Sequence, residues 1–250
     1  MLARSLQTLL ARLIDYAGVF PPASLSMSEA LANYARYRGG EHAWMLGRFV
    51  VPAAHAAEVP DDVPASIIGV DEIKAETEED VHRIGLESKD RIVYVEIADL
   101  DLLEHIAAHD NLRAKIRTGG LTPDAFPSSS DIAHFLRRCA AHGVAFKATA
   151  GLHHPVRCVR PLTYAPDAPR DTMHGFVNVF MAAALLSRAE AILGDDDPKA
   201  FAFDDDTASW RGHAVLTDDL TKLRDGFAIS FGSCSFEEPV NDLKELGWLP

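Results

Sequence analysis

The sequence predicts a single (β/α)8 barrel domain that spans residues 1–250. Two observations favour this class: β-rich runs alternate with helix-like segments, and the centres of five successive runs lie 21 to 32 residues apart. That spacing is the length of a strand, crossover helix, strand unit, whose repetition builds a parallel sheet. A doubly wound open sheet is the alternative. The chain has neither a GxGxxG after an early strand nor a GxxxxGK[ST], which are the nucleotide-binding fingerprints of open sheets.

The individual elements follow from local patterns. Short runs rich in β-branched and aromatic residues predict strands at 44–51, 66–70, 91–97, 112–118, 144–149 and 228–232, with a first strand near 14–20. An eighth strand is expected between residues 147 and 231, at 175–180 or 200–203. Apolar residues at helical spacing predict helices over 26–38, 76–86, 100–109 and 129–142, the last of which ends at Gly143. Leucines at the same spacing predict an N-terminal helix rather than a transit peptide.

Two segments interrupt this pattern. Residues 155–170 contain four prolines and are expected to form a long irregular loop, of the kind that often serves as a lid or a binding loop. Residues 195–206 contain six aspartates but lack the spacing and the glycine of an EF-hand. We expect this second segment to be a solvated acidic loop.

The composition restricts the partners. The chain has 24 Lys+Arg against 37 Asp+Glu, a net charge of −13, which disfavours binding to a nucleic-acid backbone. No apolar run approaches the roughly 18 to 20 residues that span a bilayer, and the three cysteines lack CxxC spacing. We therefore expect a cytoplasmic protein whose partner is a small anionic molecule, with neither nucleic acid nor membrane as a partner. Assembly into a homo-oligomer is left open.

Charged residues occur at the ends of three successive predicted strands. Because side chains alternate along a strand, Lys115 and Arg117 share one face, and Lys147 and Thr149 share a face of the next strand. If the apolar alternates pack against the helices, these cations and Glu96 point into the barrel, where functional groups of this fold lie. The local charge would then be +2, which predicts a small carboxylate or phosphate ester as the ligand.

Lys147 is the expected nucleophile. A lysine close to other cations and shielded from water has a lowered pKa, and its free amine can attack a carbonyl to form a Schiff base. The segment GVAFKATAG at 143–151 resembles the Schiff-base lysine strand of deoxyribose-phosphate aldolase and related class I aldolases. This resemblance implies that Lys147 forms the imine and that Lys115 tunes it, although in that family the second lysine follows the first. The segments KIRTGG and FKATAGLHHP are also similar to those of a bacterial protein family without an assigned activity.

Further candidates surround these strand ends. Asp15, at the first strand, is a candidate general base or metal ligand, and Arg48, on the second strand, is a candidate for holding a substrate carboxylate. Backbone N–H groups and hydroxyls after the strands can bind an anion. The residues expected to do so are Thr118, Gly119, Gly120, Thr149, Ser233 and Ser235.

Two pairs of polar residues follow the Lys147 strand. The adjacent His153 and His154 are candidates for general acid and base catalysis, and the alternative is that one of them binds a metal ion. His174 and Asn178 lie four residues apart, so they share one face of either a helix or a strand. Both pairs are therefore expected near the site.

Three functions remain open from the sequence. The leading hypothesis is an enzyme without a cofactor that acts on a small anionic carbonyl compound, as an aldolase-like lyase or an isomerase, with Lys147 as nucleophile or base and with Lys115 and Glu96 tuning it. The second is a metal-assisted hydrolase or isomerase, with a divalent ion held at the barrel mouth by Asp15, Glu96 and the histidines. The third is a non-catalytic barrel that binds a small anion.

Overall fold

The structure is a computed structural model that describes residues 2–250, and it confirms the predicted barrel class. In chain order the strands are β1 (Ile14–Tyr16), β2 (Leu46–Pro52), β3 (Ala65–Ile68), β4 (Glu72–Lys74), β5 (Val93–Glu96), β6 (Leu112–Arg117), β7 (Phe146–Thr149), β8 (Cys158–Pro161), β9 (Arg170–Met173), β10 (Phe201–Phe203), β11 (Thr207–Trp210), β12 (His213–Leu216) and β13 (Ala228–Ser233). Eight of them form a closed barrel in the order β1, β13, β7, β6, β5, β4, β3, β2. Every neighbouring pair around this barrel is parallel.

Helices surround the barrel. They are α1 (Arg4–Leu10), α2 (Met27–Arg38), α3 (Glu78–Glu87), α4 (Leu103–Ala107), α5 (Ser129–His142), α6 (Phe176–Ala184), α7 (Ala189–Gly194), α8 (Thr217–Gly226) and α9 (Glu237–Glu245). Capping boxes at Ser26 and Ser128 start α2 and α5, and Gly143 ends α5 at a φ of 66°, a left-handed conformation that favours glycine. Within residues 2–250, none of the helices has the length and apolarity required to cross a membrane.

The predicted position of the eighth strand is wrong. Residues 175–180 fall almost entirely within α6, and 201–203 form β10, which belongs to an antiparallel sheet with β11 and β12 outside the barrel. The eighth barrel strand is β4, and residues 69–71 link it to β3 in place of a crossover helix. Gly69 permits this tight link with a φ of 93°, and Ile68 pairs directly with Glu72. Because β4 has three residues and follows β3 without a helix between them, the sequence lacks the spacing by which the other strands were predicted.

A long insertion, residues 150–227, separates β7 from β13. The proline-rich segment 155–170 is only partly irregular, because β8 pairs antiparallel with β9 and residues 162–169 connect the two. In the acidic segment 195–206, two of the aspartates accept hydrogen bonds that fix the local conformation. Asp195 accepts hydrogen bonds from Trp210 and Arg211, and Asp204 accepts one from the backbone N–H of Thr207.

The aromatic core fixes which side chains enter the barrel. Phe146 on β7 packs against Phe135 of α5 and Phe180 of α6, with ring centroids 5.8 and 6.1 Å apart. Because Phe146 faces the helices, the alternating Lys147 faces the barrel interior. Lys147 is only 1% exposed there. The fold therefore buries its amino group inside the barrel.

Candidate active site

The buried Lys147 is held by two carboxylates from opposite parts of the barrel. Its Nζ lies 2.7 Å from Asp15 Oδ2 on β1 and donates a hydrogen bond of 2.5 Å to Glu72 Oε1 on β4. All three side chains are at least 95% buried. A buried ammonium is costly unless it is paired and hydrogen-bonded, and here two anions satisfy it.

Glu72 also joins Lys147 to a second lysine. Its other oxygen, Oε2, lies 2.9 Å from Lys115 Nζ on β6, and Lys115 in turn lies 3.1 Å from Glu96 Oε2 on β5. Ion pairs therefore run without a break from Asp15 through Lys147, Glu72 and Lys115 to Glu96. We call these five residues the lysine–carboxylate chain.

Neighbouring strands orient the two innermost carboxylates. Ser66 on β3 donates to Glu72 Oε1 at 2.8 Å, and Ser230 on β13 donates to Asp15 Oδ2 at 2.8 Å. The backbone N–H of Arg48 donates to Asp15 Oδ1 at 2.7 Å. Since each carboxylate accepts hydrogen bonds in addition to its ion pairs, both are fixed in place.

The electrostatics differ from those expected from the sequence. Burial alone would lower the pKa of Lys147, but Asp15 and Glu72 outweigh burial and raise it above the ordinary value. Burial likewise works against ionisation of Glu72, yet the two lysines lower its pKa to about 2. The expected fall of the Lys147 pKa is therefore wrong, because its nearest charges are anions.

The local charge is corrected for the same reason. Asp15 and Glu72 add two negative charges to the predicted set of Glu96, Lys115, Arg117 and Lys147, so three anions face three cations and the sum is zero. Arg117 is the least committed of the cations, since its side chain is 55% exposed and its Nη1 lies 4.0 Å from Glu96 Oε1. Of the three cations, Arg117 is therefore the most accessible to an anion in solvent.

A cavity of about 320 Å³ opens over the carboxyl ends of the strands. Its polar lining includes Lys147, Lys115, Arg117, Glu72 and Glu96, together with Thr149 and His153. Its apolar lining includes Phe20, Val50, Ile68 and Leu162. This volume and this mixture of a few convergent polar groups with apolar walls are typical of a site for a small molecule.

The backbone after β7 is strained where it borders this cavity. Ala150 has a φ of 61° and Gly151 a φ of 73°, both in the left-handed region. Such a conformation is unfavourable for alanine, and strained residues of this kind cluster at functional sites. The two glycines on which the sequence analysis relied have different surroundings: Gly120 lines the cavity, whereas a Cβ on Gly119 would lie 2.9 Å from Gly151 Cα.

A hydrogen-bonded group lies at the rim of the cavity. His153 Nδ1 is 2.9 Å from Glu238 Oε2 on α9, and the Tyr164 hydroxyl donates to the same oxygen at 2.9 Å. Tyr164 also contacts Cys234 Sγ at 3.7 Å. Burial raises the Glu238 pKa, but His153 and Tyr164 more than offset this and lower it. Tyr164 lies in the 162–169 connection, so this group attaches that segment to the barrel mouth.

Several predicted residues have structural contacts away from the cavity. His154 turns away from His153 and pairs with Asp242 at 2.5 Å, and His174 Nε2 lies 2.7 Å from the Pro127 carbonyl. Asn178 donates to the carbonyls of Ile192 and Asp195 and accepts from the Arg157 N–H. Thr118 donates to the Ala150 carbonyl at 2.6 Å, Ser233 accepts from the Ser235 N–H, and Ser235 accepts from the Glu238 N–H.

The expectation for Arg48 is wrong. Arg48 is the third residue of the seven-residue β2, so it lies towards the amino-terminal end of the barrel. There it lines a second cavity, of about 720 Å³, together with Arg12, Arg38 and Arg224. It cannot hold a carboxylate beside Lys147.

The residues proposed for a metal ion at the barrel mouth do not form a ligand group. Lys147 and Lys115 lie between Asp15 and Glu96 in the lysine–carboxylate chain, and His153 and His154 pair with different carboxylates. Within residues 2–250, the one group of three close metal-ligating side chains is Glu78, His82 and His105, on α3 and α4.

Sequence reasoning missed Glu72 and Glu238. Glu72 lies between a predicted strand and a predicted helix, in the short DEIK segment, where Ile73 is the one β-favouring residue and three charged residues give no strand signal. Glu238 lies in the first turn of α9, where the helix dipole alone favours an acid, so its position in the sequence gives no separate sign of a site.

In comparisons with known proteins, no family model matches the chain, and neither a curated protein nor a solved structure does. Fold and site therefore define the class of protein by themselves. It is a closed, parallel eight-stranded α/β barrel with a buried lysine–carboxylate chain beneath a small cavity at the carboxyl ends of its strands.

Proposed function

We propose that this protein is an enzyme that acts on a small anionic carbonyl compound, and that Lys147 forms an imine with it in the manner of an aldolase-like lyase or an isomerase. The observation that carries the proposal is the environment of the Lys147 amino group, which borders the cavity and has carboxylate oxygens at 2.7 and 2.5 Å. Those oxygens are proton acceptors within direct reach of the nucleophile.

The proton balance of imine formation fits this environment. The Lys147 ammonium gives one proton to Asp15 or Glu72, and the neutral amine attacks the substrate carbonyl carbon to form a carbinolamine. The carboxylic acid then protonates the departing hydroxyl, which leaves as water, and the carboxylate is restored. One ammonium and one carbonyl thus become one iminium and one water, with no other reactant.

The remaining groups have roles that follow from their positions. Arg117, exposed at the cavity and weakly paired, is suited to hold the substrate anion. His153 borders the cavity and is oriented by Glu238, the arrangement of an imidazole that moves protons to and from the substrate. Lys115 shares Glu72 with Lys147, so it sets how strongly that carboxylate holds the Lys147 proton.

Borohydride trapping tests the proposal. The full chain is incubated with a panel of small keto acids and aldehyde phosphates, reduced, digested and mapped by mass spectrometry. We expect a reduced adduct on Lys147 in the wild type and in Lys74→Arg, a control on an exposed lysine, and none in Lys147→Arg. Adducts confined to exposed lysines would contradict the imine, and binding without any adduct or turnover would indicate a non-catalytic anion-binding barrel.

A further inference from the structure

A second cluster of reactive side chains lies outside the barrel, where α3 packs on α4. Glu78 and His82 are four residues apart on α3, one helical turn, and His105 lies on α4. Glu78 Oε1 is 3.7 Å from His82 Nε2 and 3.5 Å from His105 Nδ1. One donor atom from each of the three lies within 4.8 Å of those of the other two.

These separations suit a tetrahedral metal centre. Nitrogen and oxygen ligands about 2.0 to 2.2 Å from a zinc ion lie about 3.3 to 3.6 Å from one another. The two Glu78 separations differ from that range by a tenth of an ångström or less, and the histidine donor atoms lie within 4.8 Å of each other, so a side-chain rearrangement that brings the two rings together would complete the site. Glu78 is 56% exposed, which leaves room for water as a fourth ligand.

The outer contacts of the two histidines provide an independent argument. A histidine that binds a metal through one nitrogen normally donates its other N–H to an acceptor. His82 directs Nε2 towards Glu78 and Nδ1 towards His109 Nε2, at 3.0 Å. His105 directs Nδ1 towards Glu78 and Nε2 towards Glu104 Oε1, at 3.4 Å. Each ring therefore has one nitrogen on the common centre and one on an outer partner.

His109 is suited to the outer position. Its Nε2 lies 3.0 Å from His82 Nδ1, within hydrogen-bond reach of a proton on that ring nitrogen. Its ring lies directly on Gly85 of α3, where a Cβ would collide with it. The glycine thus makes room for the ring that supports His82.

We propose that Glu78, His82 and His105 form a binding site for a divalent transition-metal ion of the zinc type, with water completing the coordination and with His109 and Glu104 as outer partners. Two imidazoles and one carboxylate favour such an ion over Mg²⁺ or Ca²⁺, which prefer oxygen ligands. The ion would join α3 to α4. The site is separate from Lys147 and does not depend on the proposed enzyme function.

Calorimetric titration of the metal-free full chain with Zn²⁺ tests this site. We expect one ion per chain in the wild type, and at least tenfold weaker binding in Glu78→Gln and in His105→Asn. His55→Asn is the matched control, because His55 pairs with Glu58 at 2.6 Å on a short helical turn without a third donor in the described part of the chain. It should bind like the wild type. Circular dichroism establishes that each variant is folded.

Two further measurements separate a built site from general affinity for histidines. His109→Leu should weaken zinc binding about 10- to 100-fold, as the loss of an outer partner does. Zinc should raise the melting temperature of the wild type but not that of His105→Asn. Equal affinity in the wild type, Glu78→Gln and His105→Asn, or an equal loss in His55→Asn, would overturn the proposal.

Discussion

Replacing Glu72 by glutamine tests the lysine–carboxylate chain directly. The substitution keeps the size of the side chain but removes the anion that lies 2.5 Å from Lys147 and 2.9 Å from Lys115. The Glu72 pKa of about 2, against an ordinary 4.5, corresponds to about 3 kcal/mol of native-state stabilisation. Breaking a buried ion pair from one side typically costs about 3 to 5 kcal/mol, so we expect a loss of this size at pH 7.

The effect of Glu72→Gln on stability should also depend on pH, in a direction that the lowered Glu72 pKa determines. A carboxylate whose pKa is lowered in the folded state stabilises the fold above its unfolded pKa, and this contribution is lost as the pH falls through the folded value. The stability gap between the wild type and Glu72→Gln should therefore be complete above about pH 5 and shrink towards pH 2. Urea denaturation at several pH values measures this gap.

Glu76, which lies just after β4, provides a matched control. Glu76 pairs with Lys74 at 2.7 Å, but both side chains are more than 60% exposed. Glu76→Gln should leave the unfolding midpoint unchanged, because exposed ion pairs contribute little to stability. If the free energy of unfolding of Glu72→Gln at pH 7 were within about 1 kcal/mol of that of the wild type, the lysine–carboxylate chain would not stabilise the barrel interior as a buried ion-pair network should.

Three further predictions concern the cavity. Arg117→Met should weaken binding of inorganic phosphate about tenfold or more, as measured by thermal stabilisation. It should not change the melting temperature of the free protein, because this arginine is exposed and weakly paired. Unchanged affinity would remove Arg117 from the anion site. Gly119→Ala should cost about 1 to 3 kcal/mol in urea denaturation, since its Cβ would press on Gly151 and Phe126, and a neutral result would mean that these loops yield easily. Tyr164→Phe should speed proteolysis within 162–169 by removing the bond to Glu238; an unchanged rate would show that other contacts hold this segment.

Strand alternation was sufficient to predict the inward direction of Lys115 and Lys147. Phe146 and Ala148 on β7 are fully buried outside the barrel, so the pattern of apolar alternates carried the information. The same pattern failed at 175–180, because the run GFVNVF is apolar apart from Asn178 and short apolar runs do not distinguish a buried helix from a strand. All residues of this run from Phe176 to Phe180 are buried in α6.

The pairing partners were beyond sequence reasoning for a different reason. Asp15 and Lys147 are 132 positions apart, and Glu72 and Lys147 are 75 apart, so only barrel closure brings them together. Without these two acids the site had a predicted charge of +2 and a predicted fall in the Lys147 pKa. The errors have two sources: strand β4 and its carboxylate were not recognised, and Asp15, although a candidate site residue, was not expected to pair with Lys147.

The charge of the lysine–carboxylate chain bears on which of the two roles of Lys147 is better supported. In imine formation the ammonium of the free enzyme is replaced by an iminium in the covalent intermediate, so both of these states place one positive charge between Asp15 and Glu72. A general base requires the neutral Lys147 amine as its reactive form, and the carboxylate contacts at 2.7 and 2.5 Å oppose loss of the ammonium proton. Imine formation passes through the same neutral amine only transiently, after Asp15 or Glu72 has taken the proton. If Lys147 forms the proposed imine, the same two carboxylates can therefore stabilise both the ammonium of the free enzyme and the iminium.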